Sequence, residues 1–224
     1  MTQTTHPQLN LSCDELLSTT RAVRKRLDFD KSVPMNLIDE CLQLAMQGPT
    51  GSYSQGWHFV VIDDKEKISS IARLYKMSFT QYLSNPHASQ ESSPEQADTL
   101  RALKRVVSSA QYLSDNLQKT PVILIPCISG RTDAPELSTG DRAGIYGSIL
   151  PATWNFMLAA RARGLGTCWT TLHLAYEQEV AEILNIPFEL IEQVALIPVA
   201  YTVGTDFKSA PRKPSDGMVH INSW

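Results

Sequence analysis

Between residues 48 and 57 the chain reads Gly-Pro-Thr-Gly-Ser-Tyr-Ser-Gln-Gly-Trp, a run of small and hydroxyl side chains with little to bury. An apolar helical stripe precedes it (Leu37, Ile38, Cys41, Leu42, Ala45), and the buried-strand pattern Trp57–Ile62 follows. Gly48 in a left-handed conformation would suffice to end the helix. That leaves Thr50 to Gln55 unexplained. A loop of this kind lets backbone N–H groups and small hydroxyls approach something flat or charged. Its position also excludes a fold. In a dinucleotide-binding domain the glycine-rich loop follows its strand; here it comes before one, and no G-x-G-x-x-G or P-loop occurs elsewhere.

The rest of the chain alternates helical and strand patterns. Residues 1–11 are polar and read as a flexible tail, and 12–224 read as a single domain. Ser12 and Glu15 form a capping box, in which each side chain satisfies a first-turn backbone donor. Pro34 opens the next helix, where a missing N–H costs nothing. Strands are expected at 57–62, 121–128, 167–172 and 192–202. Helices are expected after residue 62, over 98–118, from Asp141 to Arg163, and around Val180. The Asp141 helix is apolar nearly all round, which predicts a central position. Residues 84–97 are the longest polar stretch and suggest a lid or mobile loop. The tail from 204 carries Val219, Ile221 and Trp224 and is expected to dock.

A net charge of −3 argues against a general nucleic-acid binder. No apolar run reaches the roughly 18 residues a membrane span needs, and no secretory signal opens the chain, so a cytoplasmic protein is expected. Cys13, Cys41, Cys127 and Cys168 form no C-x-x-C, and with the five histidines they make no metal-ligand spacing. Cys41 and Cys168 read as core, and His173 as a surface residue.

Basic residues cluster twice. Arg21 and Arg24, three apart at a helix end, can converge on a phosphate through their guanidinium forks; a solvated basic face is the plainer reading. Arg212 and Lys213 could bring a second cation or simply lie on the surface. Thr170 and Thr171 end the third strand, where an N–H or hydroxyl could meet an electron-accepting ring, although threonine favours strands anyway. Tyr53, Trp154 and Trp169 could line an aromatic site or pack in a core. No nucleophile–base arrangement or carboxylate pair is legible. If the chain is an enzyme, a bound cofactor carries the chemistry and no side chain need be catalytic.

Taken in order, these pieces resemble the nitroreductase family of flavin-dependent oxidoreductases. The resemblance rests on Thr20-Arg21-Ala22-Val23-Arg24, Val33-Pro34, the run from Gly48 to Phe59, Gly164-Leu165-Gly166-Thr167-Cys168-Trp169, Leu184-Asn185-Ile186-Pro187, Ile197-Pro198-Val199-Ala200-Tyr201 and Arg212-Lys213-Pro214. It covers about Thr19 to Pro214, and Thr19 to Trp57 looks closest to actinobacterial-type members.

The resemblance implies an α+β fold, a mixed sheet flanked by helices, in an intertwined homodimer with exchanged termini. It implies FMN bound between subunits and reduced by NADH or NADPH. By position Arg21, Ala22, Arg24 and Arg212 would hold the phosphate and neighbouring groups. Pro49, Thr50 and Gly51 would come from the second subunit and line the isoalloxazine, with Gln55 of the same loop in a supporting role and Tyr53 at the position of a usual flavin contact; the backbone at Thr171 and Leu172 would approach flavin N5 and O4. Four positions depart from the family pattern: Thr20 stands for an arginine, Ala22 for a serine, Tyr53 for an asparagine and Ala200 for a glycine. The implied activity is ping-pong hydride transfer from NAD(P)H through flavin N5 to nitroaromatic, quinone or activated-alkene acceptors. A reductive dehalogenase, a flavin-cleaving relative or a non-catalytic flavin-binding module are the alternatives.

Overall fold

The computed structural model describes residues 6–84, 97–212 and 217–224, leaving out the side chains of 97–100. The suggested lid at 84–97 therefore lies, except for its two ends, outside the described residues, as do Lys213 and Pro214. In chain order the elements are α1 (Cys13–Thr19), β1 (Leu27–Asp28), α2 (Met35–Ala45), β2 (Trp57–Ile62), α3 (Lys65–Ser84) and α4 (Ala97–Asn116). Then come β3 (Val122–Ser129), α5 (Thr139–Ala162), β4 (Leu165–Thr167), α6 (Glu177–Leu184), β5 (Ile191–Gln193) and β6 (Ile197–Thr202).

β3 organises the sheet. One edge pairs with β2 over six residues, and the other pairs with β6 through Val122–Leu124 and with β5 through Cys127–Ser129. β6 in turn pairs with β4 and, at its end, with β1. Among the described residues every ladder is antiparallel, which corrects the expectation of a mixed sheet. The parallel contacts Ala22–Thr167 and Gly130–Ile191 are isolated bridges. The expected single strand 192–202 is split, because β5 and β6 pair with opposite ends of β3 and Val194 N–H bonds Pro126 O between them.

Side chains on β3 alternate between two cores, as a strand buried on both faces requires. Ile123, Ile125 and Cys127 join Ile68, Ile71 and Leu113 from α3 and α4. Val122 and Leu124 join Leu37, Ile38 and Phe156 from α2 and α5. The sheet is thus the middle of three layers. The capping box at Ser12 forms as the sequence predicts, and a second, unpredicted one at Ser138 and Asp141 starts α5 two residues earlier than expected. Leu9 N–H bonds Ala162 O, and His6 Nδ1 lies 2.9 Å from Glu40.

α5 is not central in the single chain. Ile149, Ala152, Thr153 and Phe156 are buried, while Leu150 and Trp154 are exposed. Gly144 and Gly147 face open space. Val106 and Val107 of α4 are likewise exposed, as is Leu17 of α1. The tail does not dock within its own chain: Ile221 is 81% and Trp224 101% exposed.

His173 is fully buried, against the surface position expected, and neither ring nitrogen has a partner. Burial pushes its pKa from 6.5 down to about 3. The folded state therefore keeps it neutral while the unfolded chain protonates it below about pH 6.5. Stability from this group is complete above 6.5 and is lost as pH falls towards 3, at about 1.4 kcal/mol per pH unit. Tm measured from pH 7 to 5 should fall, and His173→Phe should flatten that slope. An unchanged slope in the variant would assign the acid sensitivity to other groups.

Candidate functional site

The segment Thr20–Arg26 follows α1 and leans against the sheet. Val23 N–H bonds Thr167 O at 2.8 Å, and Ala22 bridges Thr167. Gly166 permits the approach, since a Cβ there would sit 2.9 Å from Val23 Cγ1 and 2.7 Å from Thr202 Cγ2. α1 ends at Thr19, so Arg21 and Arg24 are not on a helix. They are brought to one cleft by this bridge rather than by helical spacing.

The cleft has a volume of about 1170 Å³, enough for a cofactor with a second molecule beside it. Arg21, Ala22, Arg24 and Arg212 all line it. Arg21 Nη1 donates to Lys208 O at 2.7 Å, Arg24 Nη1 to Ser109 Oγ at 3.2 Å, and Arg212 Nη1 to Pro211 O at 3.4 Å. All three acceptors are neutral. Among the described residues none of the three arginines has a carboxylate partner, which is a donor set suited to a phosphate. Trp154, Met157 and Trp169 supply an apolar wall, and Phe207 closes the tail side.

The loop after α2 lies elsewhere. None of Pro49, Thr50, Gly51, Tyr53 or Gln55 lines this cleft. Gly48 does not take the left-handed conformation; Ser52, Tyr53 and Gln55 do, with φ of 50°, 57° and 45°. Gly48 is instead a contact residue, because a Cβ would lie 3.0 Å from the α5 backbone at Ala152. The Thr50 hydroxyl is spent within the loop, accepting from Gln55 N–H at 2.9 Å and sitting 3.2 Å from Ser54 Oγ. Three non-glycine residues at positive φ cost roughly 1 kcal/mol or more each, and the loop they shape leaves Tyr53 83% exposed. Of the three aromatics read as candidates, Trp154 and Trp169 meet at the cleft and Tyr53 does not.

The strand expected at 167–172 is instead β4, which runs Leu165–Thr167 and ends where the expected strand begins. Thr170 exchanges backbone bonds with Leu196, its hydroxyl lies 2.9 Å from Tyr75 Oη, and it does not line the cleft. Burial raises the Tyr75 phenol to about 12. Thr171 precedes the short 3₁₀ turn Leu172–Tyr176 without a side-chain capping bond, and neither Thr171 nor Leu172 lines the cleft in the single chain.

The sequence reading missed the α4 side. Lys104, Arg105, Ser108 and Ser109 line the cleft, and Lys25 Nζ bonds Ser108 Oγ at 2.8 Å. The available signal was the basic run Arg101-Ala-Leu-Lys-Arg105, which the apolar stripe of the same helix overshadowed.

The nitroreductase family model matches residues 17–201, most of the chain. The chain belongs to the nitroreductase family. This nitroreductase-family chain is 24% identical over 216 residues to a Methanothermobacter thermautotrophicus protein with the provisional name NADH dehydrogenase/NAD(P)H nitroreductase, covering 94% of this chain and 86% of the relative. It is 27% identical over 194 residues to the 4-nitrobenzoate reductase of Nocardioides sp., covering 78% and 74%. Among solved structures, oxidized iodotyrosine deiodinase bound to FMN and 3-iodo-L-tyrosine superposes with a TM-score of 0.69 at 22% identity, covering 94% and 99%. These likenesses show the nitroreductase fold.

Proposed function

We propose that the chain is an FMN-dependent NAD(P)H oxidoreductase of nitroreductase type, with the arginine-lined cleft as its active site. The observation that carries this reading is the meeting of three guanidinium groups, none paired with a carboxylate, beside the Trp154–Trp169 wall. Arg21, Arg24 and Arg212 would hold the FMN phosphate, with the Ala22 backbone beside it. The apolar wall would take the ring and exclude water. The turn at Thr171 and Leu172 would bring backbone donors to the ring edge.

The exposed face of α5, the strained loop and the undocked tail support a homodimer. In it a second copy of the chain contributes Pro49, Thr50, Gly51, Tyr53 and Gln55 to the opposite wall. FMN held there would supply the redox chemistry, hydride transfer from NADH or NADPH to a nitroaromatic, quinone or activated alkene. The chain's own residues bind, orient and desolvate; none needs to act as a nucleophile. The Nocardioides relative, named for 4-nitrobenzoate, supports a nitroaromatic acceptor.

The test is a pair of half-reactions without oxygen. NADH or NADPH should bleach the flavin absorbance, and a nitroaromatic added afterwards should restore it, with parallel double-reciprocal plots at steady state. Flavin that no pyridine nucleotide bleaches would leave only a binding module.

A further inference from the structure

The cleft carries more positive charge than a flavin phosphate balances. Besides Arg21, Arg24 and Arg212, its lining includes Lys25, Arg26, Lys104 and Arg105, and no Asp or Glu among the described residues. Arg26 is neutralised by Asp206 at 2.6 Å. Lys25 is engaged by the Ser108 hydroxyl. FMN would bring about two negative charges at neutral pH, as other phosphomonoesters do. Of the seven cations Asp206 offsets one and FMN would offset about two, so about four positive charges remain. Lys104 and Arg105 are two of them, exposed on the α4 wall and without an ion pair among the described residues.

Nothing in the packing calls for these cations to gather there. α4 is joined to the arginine segment by two serine hydroxyls, Ser108 to Lys25 and Ser109 to Arg24, rather than by acids. The helix that closes the cleft therefore adds like charge to like charge. In a cleft walled by Trp154 and Trp169 the resulting field is focused onto whatever enters. A neutral aromatic acceptor gains nothing from it, whereas an anionic one is drawn in and oriented.

We propose that Lys104 and Arg105 form an anion subsite that selects acceptors carrying a carboxylate, so that the physiological substrate is an anionic aromatic or conjugated acid. This rests on the reading of the cleft as a flavin site. The same anion-binding chemistry could serve a phosphate of the pyridine nucleotide, and the experiment separates the two sources.

With flavin-loaded enzyme and saturating reductant, kcat/KM is measured for 4-nitrobenzoate and for its neutral methyl ester. The wild-type ratio should exceed about 10, consistent with one charge-assisted contact, and should fall as salt is raised. In the Lys104→Gln/Arg105→Gln double variant it should approach 1, and Lys104→Arg/Arg105→Lys should restore it. A wild-type ratio near 1, or a ratio unmoved by the Gln substitutions, would overturn the subsite. A loss confined to NADPH relative to NADH would assign these cations to the nucleotide and overturn the acceptor proposal. Failure of the chain to load with FMN would sink the flavin reading and this inference with it; in the loaded enzyme, turnover of neither acceptor, or equal turnover of both, sinks the inference alone.

Discussion

Arg24→Ala should weaken FMN binding by about 10- to 150-fold. A hydrogen bond to a charged group is worth about 1.5–3 kcal/mol, and every 1.4 kcal/mol is a factor of ten. Arg24 lines the cleft and spends Nη1 on the Ser109 hydroxyl, which leaves the rest of the guanidinium edge for an anion. Arg24→Lys keeps the charge but loses the fork, so its affinity should fall between wild type and Ala. Because the Ser109 acceptor is neutral and its bond, at 3.2 Å, is long and only part-buried, Tm of the flavin-free protein should stay within a degree or two. An unchanged FMN Kd in the Ala variant would remove Arg24 from the phosphate site.

Gly166→Ala should damage both stability and flavin binding, although Gly166 touches no ligand in this account. Its missing Cβ is what allows Val23 and Thr202 to approach, and both are β-branched and stiff at χ1. Forcing a methyl group into such a contact costs about 1–3 kcal/mol, a Tm loss of roughly 2–12 °C for a domain of this size. The strain falls on Val23, whose N–H to Thr167 O bond anchors the segment carrying Arg21 and Arg24. FMN affinity should therefore drop together with Tm. A variant that melts like wild type and binds FMN normally would show that the segment is held by something other than this contact.

How much of this was legible in the sequence follows from how local each determinant is. The Ser12–Glu15 cap, the β2 and β3 strands and α4 within two residues at either end were all readable, because capping and apolar periodicity are local. The cluster Arg21, Arg24 and Arg212 was readable as chemistry, but the reason it converges was not. That reason is a bridge from Ala22 to Thr167, 145 positions away in sequence by subtraction of their numbers. Gly48 looked like a helix terminator and is a packing contact with Ala152, which only the α2–α5 pairing reveals. His173 looked superficial because a lone histidine after a strand carries no sign of burial of its own, even between Leu172 and Leu174. The α4 cations were hidden in plain sight: an amphipathic helix shows its polar face in sequence without showing what that face looks onto.

The departure of Tyr53 from the family pattern now has a setting. It stands at positive φ on a strained loop and is 83% exposed in the single chain. In the proposed dimer that loop faces the cleft of the other copy, where a tyrosine would narrow the space for an acceptor.

The most direct measurement is the absorbance spectrum of the purified protein after incubation with FMN and removal of the excess. The account predicts a yellow protein with flavin bands at one FMN per chain. A colourless protein that takes up no FMN would contradict it.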